Sequence, residues 1–187
     1  MAKIEKYDNI AVILHWIIAL AIILQLGSGI WMVQAIENEN SRKTAYLIYQ
    51  YHKSLGLSVL IFSLFRLFWR IKHTPPVLPS HMTNIEKLAA NIFHKLLYLF
   101  MIFIPLIGWG LVSTSSYGFP TMFFNLFEWP HISFLNEASN KVELHQFFDF
   151  SHKIMSYLLI ALLFLHISAA LKHQFFDKDN LIRRILP

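Results

Sequence analysis

The sequence predicts an all-α fold, an integral membrane four-helix bundle, on three observations. Hydrophobic residues make up 56% of the 187 and charged residues only 14%, against about a quarter in soluble domains. The apolar residues are gathered into blocks rather than spread along the chain. Four of those blocks reach the roughly 20 residues that a bilayer crossing needs. No internal repeat, low-complexity stretch or composition shift marks a second domain, so residues 1–187 are expected to form a single four-span domain.

The first span is Ile10–Val33. Lys3 and Lys6 precede it as they would a signal peptide, but the run is longer than a signal core and has no small-residue cleavage site, so it is expected to be retained. A polar, acidic link, Gln34–Ala45, leads to the second span, Tyr46–Trp69. In the next link, Arg70–Lys87, the stretch "HTPPVLPS" carries three prolines, which forbid helix and favour extended chain. The third span is Leu88–Val112. The longest loop, Ser113–Phe147, holds "STSSYGFP" and the aromatic piece "MFFNLFEWPHISF", expected at the membrane interface; loops of this length are often functional. The fourth span is Phe148–Leu171.

The net charge of +5 does not imply nucleic acid, because the basic residues flank the spans. With both termini and the Pro-rich link on one side, that side holds eleven Lys and Arg. The other holds five: Arg42, Lys43, Lys53, Lys141 and Lys153. The positive-inside rule then places both termini in the cytoplasm of a bacterial inner-membrane protein.

The absence of cysteine excludes disulfides, iron–sulfur clusters and thiolate metal sites. The chemistry therefore falls to the ten histidines. His152 and His166 are fourteen residues apart on the fourth span. In a helix this is a rise of about 21 Å and an angular offset of roughly 40°, so both lie on one face near opposite sides of the membrane. Alternating span directions put His52 at the depth of His152, on the outer side. His15 falls at the depth of His166, on the inner side, and His94 is a further candidate there.

Two imidazoles facing each other at one depth suit the two axial positions of a b-type haem iron. Helix bundles commonly hold cofactors between facing helices in this way. A single histidine in a span is more often a hydrogen-bonded structural group or part of a proton relay, yet four that pair by depth favour haem. A zinc or copper transporter would bring carboxylates to the same level, and the spans contain almost none. His73, His81, His131, His145 and His173 fall in loops or at span ends and read as surface histidines.

Several neighbours carry two readings. Arg66, fourteen residues after His52, would pair with a haem propionate or snorkel to the inner surface. Gly56, one turn after His52, would admit a flat macrocycle or a packed helix. Gly27, Gly29, Gly108 and Gly110 leave room toward the outer side.

The ordered set "LHW" (Leu14–Trp16), "YHKSLG" (Tyr51–Gly56), "FRLFWRIK" followed by "TPP" (Phe65–Pro76), "STSSYGFP", the His152/His166 pair and "ALKHQFFDKDNLIRRILP" (Ala170–Pro187) resembles the bacterial cytochrome b561 family along nearly the whole chain. That family includes membrane superoxide oxidases. The resemblance implies two haem b groups in the bundle core, with His15 and His166 as ligands on the cytoplasmic side and His52 and His152 on the periplasmic side. It gives His94 no ligand role and leaves it a place beside a propionate or a quinone.

An iron ligated on both faces has no open site for oxygen, which favours electron transfer. The expected activity is oxidation of superoxide with ubiquinone as acceptor; the rival is a non-enzymatic carrier between quinol and a periplasmic redox protein. Lys53 and Lys153 follow the two outer ligands directly. They would steer a small anion, or else neutralise propionates and headgroups.

Overall fold

The computed structural model describes residues 6–79 and 82–186; Lys3 and His81 lie outside them. Four helices dominate, each long and apolar enough to cross a membrane: α1 (Asn9–Ala35), α2 (Glu39–Lys72), α3 (Asn84–Ser113) and, after two short strands and a turn of helix α4 (Ser133–Asn136), α5 (Lys141–Phe175). A short α6 (Leu181–Ile185) closes the chain. The helices extend beyond the apolar spans at both ends, because capped polar turns continue them past the apolar stretch. Asp8 accepts from Ala11 N at 2.9 Å to start α1. Thr83 and Glu86 cap each other's backbone N–H to start α3.

Large apolar side chains point outward along the spans. Leu20 is 60% exposed, Ile23 63% and Phe164 70%, a surface that only a lipid environment covers. Inside, Ile18, Ala21 and Ile22 of α1, Val59 of α2, Leu97 and Met101 of α3, and Leu159 and Leu162 of α5 form one buried cluster. Leu159 is seven residues from both His152 and His166, and Val59 is seven from both His52 and Arg66. The core is thus an apolar layer at mid-depth, between the two histidine levels.

Backbones approach closely in three pairs: α1 with α2, α2 with α3, and α3 with α5. Among the described residues α5 makes no comparable approach to α1 or to α2. At mid-depth side chains bridge this seam; above and below it are the histidines.

One end, the terminal face, gathers both ends of the chain and the Pro-rich link. Tyr7 N donates to Arg184 O at 3.1 Å, Trp16 Nε1 to Ile185 O at 2.8 Å, and Arg184 to Val77 O at 2.7 Å. The opposite end, the loop face, carries an antiparallel hairpin, β1 (Thr121–Phe123) with β2 (Phe127–Trp129). Phe124 and Asn125 turn it with φ of 46° and 59°, the positive values that hairpin twist favours. The hairpin is latched to α2. Fully buried Ser54 donates to Met122 O and accepts from Phe124 N, both at 2.9 Å. Gln50 Nε2 and Lys53 Nζ donate to Pro120 O at 3.1 and 3.3 Å.

Candidate functional site: two levels of facing histidines

At the loop-face level, His52 of α2 and His152 of α5 face each other across the seam, ring centroids 6.4 Å apart. An imidazole–metal bond is about 2 Å for first-row metals. Two such bonds and about 1 Å from each nitrogen to its ring centre put the centroids about 6 Å apart. The pair therefore already stands at the separation that an iron between them requires. Small residues clear the walls. A Cβ at Gly29 would meet His52 Cε1 at 3.3 Å, and one at Gly108 would meet His152 Cε1 at 3.1 Å.

Two bonds orient His52: Ser28 Oγ lies 3.1 Å from its Nδ1, and Gln25 Nε2 donates to its carbonyl at 3.0 Å. On His152 the buried Nδ1 has no hydrogen-bond partner among the described residues.

Gly56 serves a different purpose from its neighbours. A Cβ there would lie 2.8 Å from Gln25 Nε2, so Gly56 admits the side chain that anchors His52. Of the two sequence readings, helix packing is the one the structure takes. Gly110 likewise admits the Phe148 ring, 2.8 Å from its absent Cβ. Nothing lies within 4 Å of a Cβ at Gly27.

At the terminal-face level three imidazoles gather. His94 of α3 and His166 of α5 are in edge-to-face ring contact at 5.8 Å. His15 of α1 is in electrostatic reach of His94, His166 and Arg66. Depth arithmetic predicts this grouping without ranking its members. Arg66 places its guanidinium 5.7 Å from the Tyr98 ring centre and Arg70 stands at 5.9 Å from the same ring; Arg66 has no carboxylate partner among the described residues.

The facing donors are imidazoles in a lipid-facing bundle, and the carboxylate nearest to either level among the described residues is Asp149, one turn before His152 on α5. The arrangement fits a b-type haem on the distances, the glycine walls and the open seam between the ligand-bearing helices. The imidazoles available to hold iron are His52 and His152 at the loop-face level and His15, His94 and His166 at the terminal-face level, where the ring contact is between His94 and His166.

Three histidines expected on the surface are not there. His131 is half-buried with its Nε2 enclosed. His173 is buried, with Nδ1 2.8 Å from Asp177 and 2.9 Å from Asp179. His145 is half-buried, its Nδ1 3.2 Å from Leu111 O. His73 is exposed and stacks on Trp69 at 4.0 Å. Lys53, tied to Pro120 O, is half-buried, whereas Lys153 is exposed.

A bundle of four membrane helices whose seam is lined by histidines at two depths defines a membrane haem protein of the cytochrome b class. The chain belongs to the prokaryotic cytochrome b561 family, whose model matches residues 6–187. It is 31% identical to cytochrome b561 homolog 2 of Escherichia coli K12 over 183 residues, covering 97% of this chain and 92% of that one. It is 26% identical to a probable superoxide oxidase, CybB, of Yersinia pestis, covering 98% and 97%. Cytochrome b561 homolog 1 of Escherichia coli K12 is 23% identical, with 98% of each chain covered.

Proposed function

We propose that the chain is a di-haem b cytochrome of the bacterial inner membrane, both termini cytoplasmic, working as a superoxide:ubiquinone oxidoreductase. The observation that carries the electron-transfer reading is the His52–His152 pair, 6.4 Å apart with glycine on its flanks. His15 and His166 hold the second haem. Bound haem supplies reversible one-electron chemistry. The chain's own part would be to hold the iron through the imidazoles of His52 and His152 and of His15 and His166, a donor set suited to electron transfer. The apolar layer around Ile18, Val59 and Leu159 keeps water out of the space between the levels.

The loop face is then periplasmic. Two superoxide anions each give up one electron and leave as dioxygen; the two electrons, with two protons, convert ubiquinone to ubiquinol. Exposed Lys153, next to His152, supplies the attraction for the anion. Lys53 contributes less to that attraction, because it is half-buried and donates to Pro120 O. That commitment favours a second reading, a carrier that exchanges electrons between quinol and a periplasmic redox protein.

The two separate in one experiment. The purified haem-loaded protein is mixed with superoxide and ubiquinone in a stopped-flow spectrometer. The oxidase reading expects fast haem reduction followed by ubiquinol. Haem that stays oxidised on this timescale eliminates it in favour of the carrier.

A further inference from the structure

The terminal face contains a cavity of about 710 Å³ that involves none of His15, His94 or His166. Its walls are the start of α1, the last turns of α2, the Pro-rich link and Tyr98 of α3. Four cations line it: Lys6, Arg66, Arg70 and Lys72. None of them has an ion pair among the described residues. The sole carboxylate in the lining, Asp8, is already engaged, accepting from Ala11 N at 2.9 Å and from Trp69 Nε1 at 3.0 Å.

Like charges so placed repel one another, and an anion relieves the repulsion. Arg66 and Arg70 are held by the Tyr98 ring. A cation–π contact satisfies no N–H donor of the guanidinium, so those donors are left for an anion. Arg66 is in electrostatic reach of His15 and His166, and Arg70 of His94; Lys6 and Lys72 add the charge of the outer volume.

The rim is apolar. Val77 of the lining is 77% exposed, and Phe68, beside the lining on the last turns of α2, is 55% exposed. Lys72 Nζ lies 5.8 Å from the Phe68 ring centre. Cations inside and hydrocarbon-facing side chains beside them match a molecule with an anionic head and acyl tails, and basic pockets between membrane helices take such headgroups.

We propose that this cavity binds the phosphate of an anionic membrane phospholipid through Lys6, Arg70 and Lys72, with the acyl chains leaving past Val77 and Phe68. This site goes beyond the electron-transfer reading and does not depend on it.

Native mass spectrometry of the full-length, haem-loaded protein tests it, with phosphatidylglycerol and phosphatidylcholine offered at equal concentration. The wild type is expected to retain phosphatidylglycerol at least about tenfold over phosphatidylcholine. Lys6→Gln with Lys72→Gln, both exposed, removes most of the preference while the haem spectrum and melting stay unchanged. Arg70→Gln is the second variant and has the same expected loss.

Equal retention of the two lipids overturns the proposal, as does a preference that survives both variants. Displacement of phosphatidylglycerol by millimolar inorganic phosphate, with no effect of the acyl chains, assigns the cavity to a soluble anion instead. Loss of haem together with lipid in the lysine variant assigns the charges to the cofactor and overturns it too. A chain without haem that still prefers phosphatidylglycerol refutes the electron-transfer reading and leaves this site standing.

Discussion

The two histidine levels are built from the same ligand type on the same helix, α5, yet they differ in what surrounds them. The loop-face level has two rings, glycines at 29 and 108 facing them, and a lid latched through Ser54. The terminal-face level has three rings, Arg66 in electrostatic reach, and further cations beyond. A positive charge near a redox centre favours its reduced state. With a haem at each level, as proposed, the asymmetry would favour electron flow from the loop face to the terminal face, a bias that two identical pockets would lack.

Ligand removal breaks the comparison most directly and has the largest expected effect. His52→Ala should halve the haem content measured by pyridine haemochrome, from two haems per chain to one. His15→Ala should remove the other haem, and His166→Ala the same one. His94→Ala should leave two haems. If His94→Ala costs a haem and His15→Ala does not, the ring contact at 5.8 Å marks the true pair on that side.

Next is wall geometry. Gly108→Val drives a side chain into the His152 ring, where even a Cβ would stand 3.1 Å from Cε1. Overpacking of this kind costs about 1–3 kcal/mol. Thermal loss of the loop-level haem absorbance should come earlier, with the terminal-level haem unaffected. Gly27→Ala is the control, since its Cβ meets nothing within 4 Å; it should be neutral or gain up to ~1 kcal/mol of helix preference. Equal effects from the two substitutions would mean that the glycines serve helix packing alone.

The lid comes third. Ser54→Ala leaves Phe124 N without its acceptor in a part-buried place, at a cost of about 0.5–1.5 kcal/mol. Proteolysis at the hairpin should rise severalfold while both haems are retained. An unchanged cleavage rate would show that Gln50 and Lys53 hold the hairpin without Ser54.

The parts of this arrangement legible in the sequence are those set by local regularity. Hydropathy locates the helices because lipid forces backbone hydrogen bonds inside each span. Helical rise places His52 level with His152 and groups His15, His94 and His166 without knowledge of packing. What the sequence hid depends on partners from elsewhere in the chain. Gly56 cannot be interpreted without Gln25, 31 residues earlier on another helix. His173 looks like a surface residue until Asp177, one turn further on, and Asp179, turned back by the positive φ of Lys178, close on it. The strands at Thr121–Phe123 and Phe127–Trp129 looked like an aromatic interface loop, because the latch that orders them is on α2.

Arg66 sharpens the comparison with the smallest structural disturbance. It is half-buried and has no ion pair among the described residues, and its side chain packs toward Tyr98. Leucine fills much of the same volume and removes only the charge. A unit charge within about 10 Å at an effective dielectric constant of about 20 is worth roughly 1–2 kcal/mol. For one electron that is on the order of 50–100 mV. Arg66→Leu should lower the midpoint potential of one haem by that amount and leave the other in place, as read by redox titration of the two absorbance bands. The shifted haem should be the one that His166→Ala removes. A shift of the His52-dependent haem instead, or of neither, would mean that Arg66 is a snorkelling cation and that the potential difference between the levels has another origin.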